Sequence, residues 1–181
     1  MRFYFYQPVL FLSVTTAKLS TSPITLLGTT YKPINDENKH ELTVDDFPGL
    51  FNNFRTKLWF TYRSGYQAIS DSIYRSDAGW GCMHRTGQML LAQALLVHFL
   101  GRGLYIFKNS SIIQSINCFQ LDFKLKRKGN EYDEIIYEIL PYFEDVPTAF
   151  FSIHNITKIG ELQNIRIGEW FTPGAICYAL K

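Results

Sequence analysis

Apolar residues are densest from Met89 to Leu100, where Met89, Leu90, Leu91, Ala92, Ala94, Leu95, Leu96, Val97, Phe99 and Leu100 are interrupted only by Gln93 and His98. Between Arg85 and Gly101 no residue carries a formal charge unless His98 does. This pattern predicts a helix over 82–100 that is apolar all round, and such a helix belongs in the middle of its domain. Gly101 suits the residue just past a helix end, with Arg102 beyond it. Gln88, Gln93 and His98 keep the run short of the roughly 18 consecutive apolar residues that a membrane span needs.

Other elements are shorter. Leu50, Phe51, Phe54 and Leu58 fall at helical spacing, so Phe47 to Tyr62 reads as a helix with Pro48 in its first turn. Residues 15–50 are rich in Ser, Thr, Pro and Gly and read as loops, with one short strand at Ile24-Thr25-Leu26-Leu27 before Gly28. Lys32 to Asp46 is the most polar stretch and belongs on the surface. Asp133 to Leu140 is an amphipathic helix with Ile135, Ile136, Ile139 and Leu140 facing inward, acidic residues in its first turn and Pro141 at its end. Ile112 to Leu125 fits strand and helix equally, Lys124 to Lys128 reads as a solvated turn, and Phe150 to Ile153 as a strand or a tight core segment. Thr172-Pro173 is an N-cap and first-turn pair opening a helix with Ile176 and Leu180 inward. The sequence reaches Lys181 within that helix, which is the expectation for a truncated chain.

Composition narrows the class. The 181 residues suit one domain, and 46% hydrophobic with 16% aromatic content supplies a sizeable core. A net charge of +2, from 18 basic and 16 acidic residues, gives no electrostatic case for binding nucleic acid. Cys82, Cys118 and Cys177 form no C-x-x-C, so neither a disulfide framework nor a zinc site is indicated. No metal or cofactor is expected, and a reducing, cytoplasmic compartment fits this cysteine usage. Residues 1–23 stand apart from the 24–181 domain. Their apolar block, Phe3 to Leu12, fits the length of a signal-peptide core but lacks a small-x-small site. A buried edge strand or a false gene start accounts for it better.

Chemistry concentrates at Ser76-Asp77-Ala78-Gly79-Trp80-Gly81-Cys82-Met83. A glycine-rich turn delivers a cysteine to the start of the predicted helix, where unpaired N–H groups and the positive end of the helix dipole favour a thiolate. Such cysteines are the usual nucleophiles of thiol proteases. The glycines beside Trp80 let a substrate backbone approach. Taken alone, Cys82 also reads as one more small buried hydrophobe. Cys118 and Cys177 lack such a setting and read as structural.

Leu58-Trp59-Phe60-Thr61-Tyr62-Arg63, the 76–83 segment, Arg85, Gly87-Gln88-Met89, Ala92-Gln93-Ala94-Leu95 and Leu100-Gly101-Arg102 together resemble the autophagins, the cysteine proteases of autophagy. Phe151-Ser152-Ile153-His154-Asn155-Ile156 and Ile167-Gly168-Glu169-Trp170-Phe171-Thr172-Pro173 agree in order and character, as does Leu26-Leu27-Gly28 with Tyr31. The resemblance spans about 24–181 and is weakest from Gly103 to Tyr132.

It implies an α+β, papain-like fold, here its N-terminal portion, with Cys82 as nucleophile opening a buried central helix. It also implies cleavage after the C-terminal glycine of the ubiquitin-like autophagosome modifier, as precursor and as lipidated form. Release from phosphatidylethanolamine would bring transient contact with the autophagosomal membrane. Tyr62 matches the family's oxyanion donor, although taken alone it reads as a core aromatic. Trp80 is the expected substrate-binding neighbour.

Two departures stand out. The family's downstream Asp-Pro-His, which supplies the base and its orienting carboxylate, does not occur in these residues. His84, His98, His40 and His154 are poor substitutes, and His154 reads as a packed, hydrogen-bonded residue. Thr86 stands where some relatives carry a cysteine, so redox control through that neighbour is not supported. The readings are then a thiol protease whose C-terminal half lies outside this sequence, or a non-catalytic fragment acting at most as a binding protein. Either way, activity is not expected of the 181 residues by themselves. Nor is stable folding, because most of a papain-like sheet lies C-terminal.

Overall fold

A computed structural model describes residues 19, 21–34, 42–43, 46–50, 53, 57–100 and 131–181. These fall into two compact units, the described residues up to Lys57 and those of 58–100 with 131–181. The expectations for Phe3 to Leu12, His40, Ile112 to Leu125, Cys118 and Lys124 to Lys128 lie outside the described residues.

In the smaller unit, β1 (Ile24–Leu26) and β2 (Thr29–Tyr31) form an antiparallel hairpin with Ile24 opposite Tyr31. The predicted strand is therefore present, joined to its partner through the two-residue turn Leu27-Gly28. Tyr31 packs with Leu42, Phe47 and Leu50 into a small core. The predicted helix from Phe47 to Tyr62 is only partly realised. Leu50 and Asn53 are helical, with the Asn53 N–H bonded to the Gly49 carbonyl at 2.9 Å.

The far end of that prediction is wrong. Leu58 to Arg63, in the larger unit, has no helical structure; Leu58 and Phe60 are buried while Trp59 and Tyr62 are exposed. Aromatic and β-branched side chains lose freedom against a helical turn, and four of these six residues are of those kinds.

The larger unit holds four helices among the described residues: α1 (Cys82–Leu100), α2 (Glu131–Ile139), α3 (Ile153–Glu161) and α4 (Pro173–Ala179). α1 packs against all three others, which makes it central to the unit. It is nevertheless not apolar all round in its burial. Its buried stripe is His84, Gln88, Ala92 and Leu96, four residues apart, joined by Arg85 and Gly87. Leu90 and Phe99 are 65% and 54% exposed. Polar groups at the N-terminal end of α1 find partners inside the unit, and those bonds set which face turns inward.

Ile136 and Ile139 of α2 are buried as expected. Pro141 does not stop the chain dead but opens a 3₁₀ helix, Leu140–Phe143. Phe143 meets Phe60 at 5.2 Å between ring centroids and Phe151 at 5.7 Å.

α3 corrects the reading of Phe150 to Ile153. Ser152 is an N-cap whose hydroxyl accepts the Asn155 N–H at 3.2 Å, and Ile153 is the first helical residue. The N-cap of α4 is the predicted one: Thr172 accepts the Ala175 N–H at 3.2 Å and Pro173 follows. Ile176 and Ala179 then pack with Ile156 and Phe171, with Leu180 against the same cluster. No helix among the described residues is long and apolar enough to cross a membrane.

Candidate active site

Cys82 is the first residue of α1, partly exposed and a free thiol. The turn before it is held by one residue, because the Asp77 carbonyl accepts the N–H of Trp80 at 3.2 Å and of Gly81 at 2.8 Å. Gly79 sits at φ +89° within that turn, a conformation that side chains rarely tolerate. Gly81 is required for space: a Cβ there would stand 2.5 Å from Asp77 Cβ and 2.7 Å from its Oδ2. The N–H groups of Cys82, Met83 and His84 have no carbonyl within α1 to bond, so the positive end of the helix faces the thiol.

Tyr62 reaches Cys82 because the chain doubles back between them. Ser64 and Ser76 form an isolated antiparallel bridge. The Gly65 N–H bonds the Arg75 carbonyl at 2.8 Å, and the Asp77 N–H bonds the Arg63 carbonyl at 3.2 Å. The Tyr62 phenol and the Cys82 thiol are thereby neighbours, close enough for each to feel the other's charge. Partial burial, then the Cys82 sulfur and the Asp77 carboxylate, push the Tyr62 phenol above its ordinary value. It therefore stays protonated, and a donor, at neutral pH.

Trp80 lies elsewhere than expected of a substrate contact. Its ring is 5% exposed, packed edge-on against Tyr74 and His84, and its indole N–H donates to the Ser76 carbonyl at 2.9 Å. The exposed indole at the turn is Trp170, which is 72% exposed and donates to the Gly79 carbonyl at 2.6 Å. Sequence reasoning passed over Trp170. In Trp170-Phe171 no periodicity says which ring faces out, and here Phe171 is the buried one.

Neither buried histidine serves the thiol. His84 lies between Trp80 and Phe171, with ring centroids 5.1 Å and 4.1 Å away. Its Nε2 meets Thr157 Oγ1 at 3.3 Å, and that hydroxyl donates to the Ile153 carbonyl at 2.6 Å. The hydroxyl thus accepts from His84, which fixes the Nε2–H tautomer. Burial, then the Arg85 charge, lowers His84 to about 3, so it is neutral. His154, as expected, is packed and hydrogen-bonded: its Nε2 is 3.2 Å from the Asp145 carbonyl and its ring is edge-on to Tyr66. Burial lowers it too. Cys177, expected to be structural, is an exposed free thiol on α4.

The feature with least warning in the sequence is an ion network beneath the turn. Arg85 Nε donates to Asp77 Oδ2 at 2.7 Å, and its Nη1 donates to Asp145 Oδ1 at 2.8 Å and Gln88 Oε1 at 3.0 Å. Arg63 Nη1 reaches Asp145 Oδ2 at 2.9 Å, and the Arg63 N–H donates to Asp77 Oδ1 at 2.6 Å. Gln88 Nε2 passes on to the Phe151 carbonyl at 2.6 Å. Two guanidiniums balance two carboxylates. Burial would raise Asp145, but Arg85 and Arg63 outweigh it and hold the carboxyl below its usual range. Arg63, Asp77, Arg85 and Gln88 each stand in a matched motif, but nothing in the sequence joins them to one another or to Asp145, because the acidic partners of Arg85 lie 8 and 60 residues away.

Chemically, the site offers a thiol, a neutral hydroxyl donor and a helix N-terminus at one point. That set suits attack on a carbonyl and stabilisation of the resulting oxyanion. The profile of the peptidase C54 catalytic domain matches residues 48–181 of the sequence. The chain belongs to the peptidase C54 family.

Relatives agree. This C54 chain is 37% identical over 174 residues to cysteine protease ATG4b of Arabidopsis thaliana, which covers 96% of the chain and 32% of that protein. Cysteine protease ATG4C of Xenopus laevis is 31% identical over 200 residues, 88% of the chain and 44% of that protein. Cysteine protease ATG4A of Oryza sativa subsp. indica is 35% identical over 162 residues, 89% of the chain and 30% of that protein. The C54 chain therefore spans less than half the length of these relatives. Tyr62, Cys82 and the whole ion network fall inside the C54 match.

Proposed function

We propose that the protein is an autophagy cysteine protease of papain-like fold, with Cys82 as nucleophile and Tyr62 as oxyanion donor. Its substrate is a ubiquitin-like autophagy modifier cut after its C-terminal glycine, both as precursor and when joined to phosphatidylethanolamine. The work is cytoplasmic, and membrane contact comes through the lipidated substrate. The observation that carries this reading is the meeting of Tyr62 and Cys82 at the N-terminus of α1 in a C54 chain whose relatives are named ATG4 cysteine proteases.

In the reaction, the Cys82 thiolate attacks the glycine carbonyl carbon and a C–S bond forms. The carbonyl oxygen becomes an oxyanion that accepts from Tyr62 and from N–H groups at the start of α1. The C–N bond breaks and the departing amine takes the proton that the general base had removed from the Cys82 thiol. Water then hydrolyses the thioester to a free glycine carboxylate and restores the thiol. The base is assigned to an Asp-Pro-His outside these residues, because His84 and His154 are engaged in the core. Trp80 acts on substrate indirectly, by seating the turn on which a peptide backbone lies.

The test is to express the complete product of the gene and incubate it with a modifier carrying a C-terminal extension. Cleavage after glycine is expected, and its loss in Cys82→Ala. Cleavage that survives Cys82→Ala overturns the assignment.

A further inference from the structure

Asp77 is wholly buried and bonds in four directions. Its Oδ1 accepts the Arg63 N–H at 2.6 Å, immediately after Tyr62 in the chain. Its Oδ2 accepts Arg85 Nε at 2.7 Å, in the first turn of the helix that Cys82 opens. Its own N–H donates to the Arg63 carbonyl at 3.2 Å, and its carbonyl closes the turn through the N–H groups of Trp80 and Gly81. One residue therefore holds the segment that carries the hydroxyl, the turn that carries the thiol and the helix behind both. Nothing else among the described contacts links all three.

Resting on the function proposed above, we infer that Asp77 is the positioning residue of this site: it sets the Tyr62 hydroxyl against the Cys82 sulfur, and Arg85 holds it in place. Asp77 does not touch the reacting atoms. Its carboxylate is spent on Arg63 and Arg85, and the Gly81 Cα is packed against its Cβ, so it cannot swing out towards a substrate. Its contribution passes through Tyr62. A donor displaced by an ångström loses much of its hold on an oxyanion, and removing one such donor typically costs about 10²–10³ in kcat.

This predicts a specific pattern in the full-length protein. Asp77→Asn keeps an acceptor for the Arg63 N–H but weakens the tie to Arg85, so the turn loses its grip on the helix and only Asp145 still joins the Tyr62 segment to it. Processing of the extended modifier should lose about 10- to 100-fold in kcat with KM within about twofold, because substrate binding is left alone. Tyr62→Phe should lose at least as much. The decisive variant is the double one: adding Asp77→Asn to Tyr62→Phe should cost about threefold or less, since both changes remove the same hydroxyl contact.

Full additivity, or a rise in KM at unchanged kcat, overturns the inference and leaves Asp77 a merely structural residue. If Asp77→Asn does not fold by thermal melt, Gly81→Ala displaces the same carboxylate without altering its charge and must show the same non-additivity with Tyr62→Phe. If the full-length protein cleaves no modifier, the function reading fails on its own. The same cycle is then read on the rate of iodoacetamide labelling at Cys82, where additive effects again overturn the positioning role.

Discussion

Arg85 and Asp77 are joined Nε to Oδ2 at 2.7 Å with their side chains only 3% and 0% exposed, directly beneath the turn that presents Cys82. A pair so deep contributes little net stability over an apolar substitute, because two charges are desolvated to make it. Its removal is another matter. Arg85→Met leaves Asp77 buried without its guanidinium and frees half of Asp145. Urea unfolding should show a loss of about 3–5 kcal/mol, well above that of Arg63→Lys, which keeps a cation on the more exposed side of Asp145. A loss below about 1 kcal/mol, in the range of an exposed pair, would mean that the network is solvated.

His84 makes stability depend on pH. Its folded-state value, about 3, lies below the ordinary 6.5, so the unfolded chain binds the proton first as the solution is acidified. The stabilisation is complete above pH 6.5 and is lost as pH falls from there towards 3, by about 1.4 kcal/mol per unit. His154, also lowered by burial, adds a loss of the same sign. Asp145 adds its own only below its ordinary 3.8. Denaturation at pH 7.5 and at pH 5 should therefore differ, and His84→Gln should shrink the difference. Equal stability at both values would show that the imidazole reaches water.

Thiol labelling separates position from access. Cys177 is the more exposed of the two described cysteines, whereas Cys82 is partly shielded but stands at a helix start beside the Tyr62 hydroxyl. With limiting iodoacetamide and peptide mapping, Cys82 should be modified several times faster than Cys177 in spite of its lower exposure. Faster labelling of Cys177 would show that access alone governs both. The 181-residue chain by itself should not cleave an extended modifier, because His84 and His154 are held in the core and His98 stands in the last turn of α1, far along the helix from Cys82.

Much of the site was legible in the sequence for local reasons. A Gly-Trp-Gly-Cys turn running into a long apolar segment announces a cysteine at a helix start, and α1 begins at Cys82. Thr172-Pro173 likewise carries its own capping chemistry, and a Leu-Leu-Gly ending marks the β1 turn. Each depends on neighbours within a few residues, which is the range over which backbone preference and capping act.

What required the tertiary structure were choices between faces and between distant partners. Hydrophobic periodicity said that α1 was buried, but not that His84, Arg85 and Gln88 would be the buried residues while Leu90 and Phe99 faced out. That choice was made by Asp77, Asp145, Thr157 and the Phe151 carbonyl, all from other segments. The pattern also read Leu58 to Tyr62 as helix, where the chain is not helical and the Arg63 backbone bonds to Asp77 instead. Nor could local pattern say that Trp80 would be buried while Trp170 faced out. Local rules place the thiol. Only long-range hydrogen bonds, whose partners are fixed by how the chain closes on itself, bring Tyr62 to it.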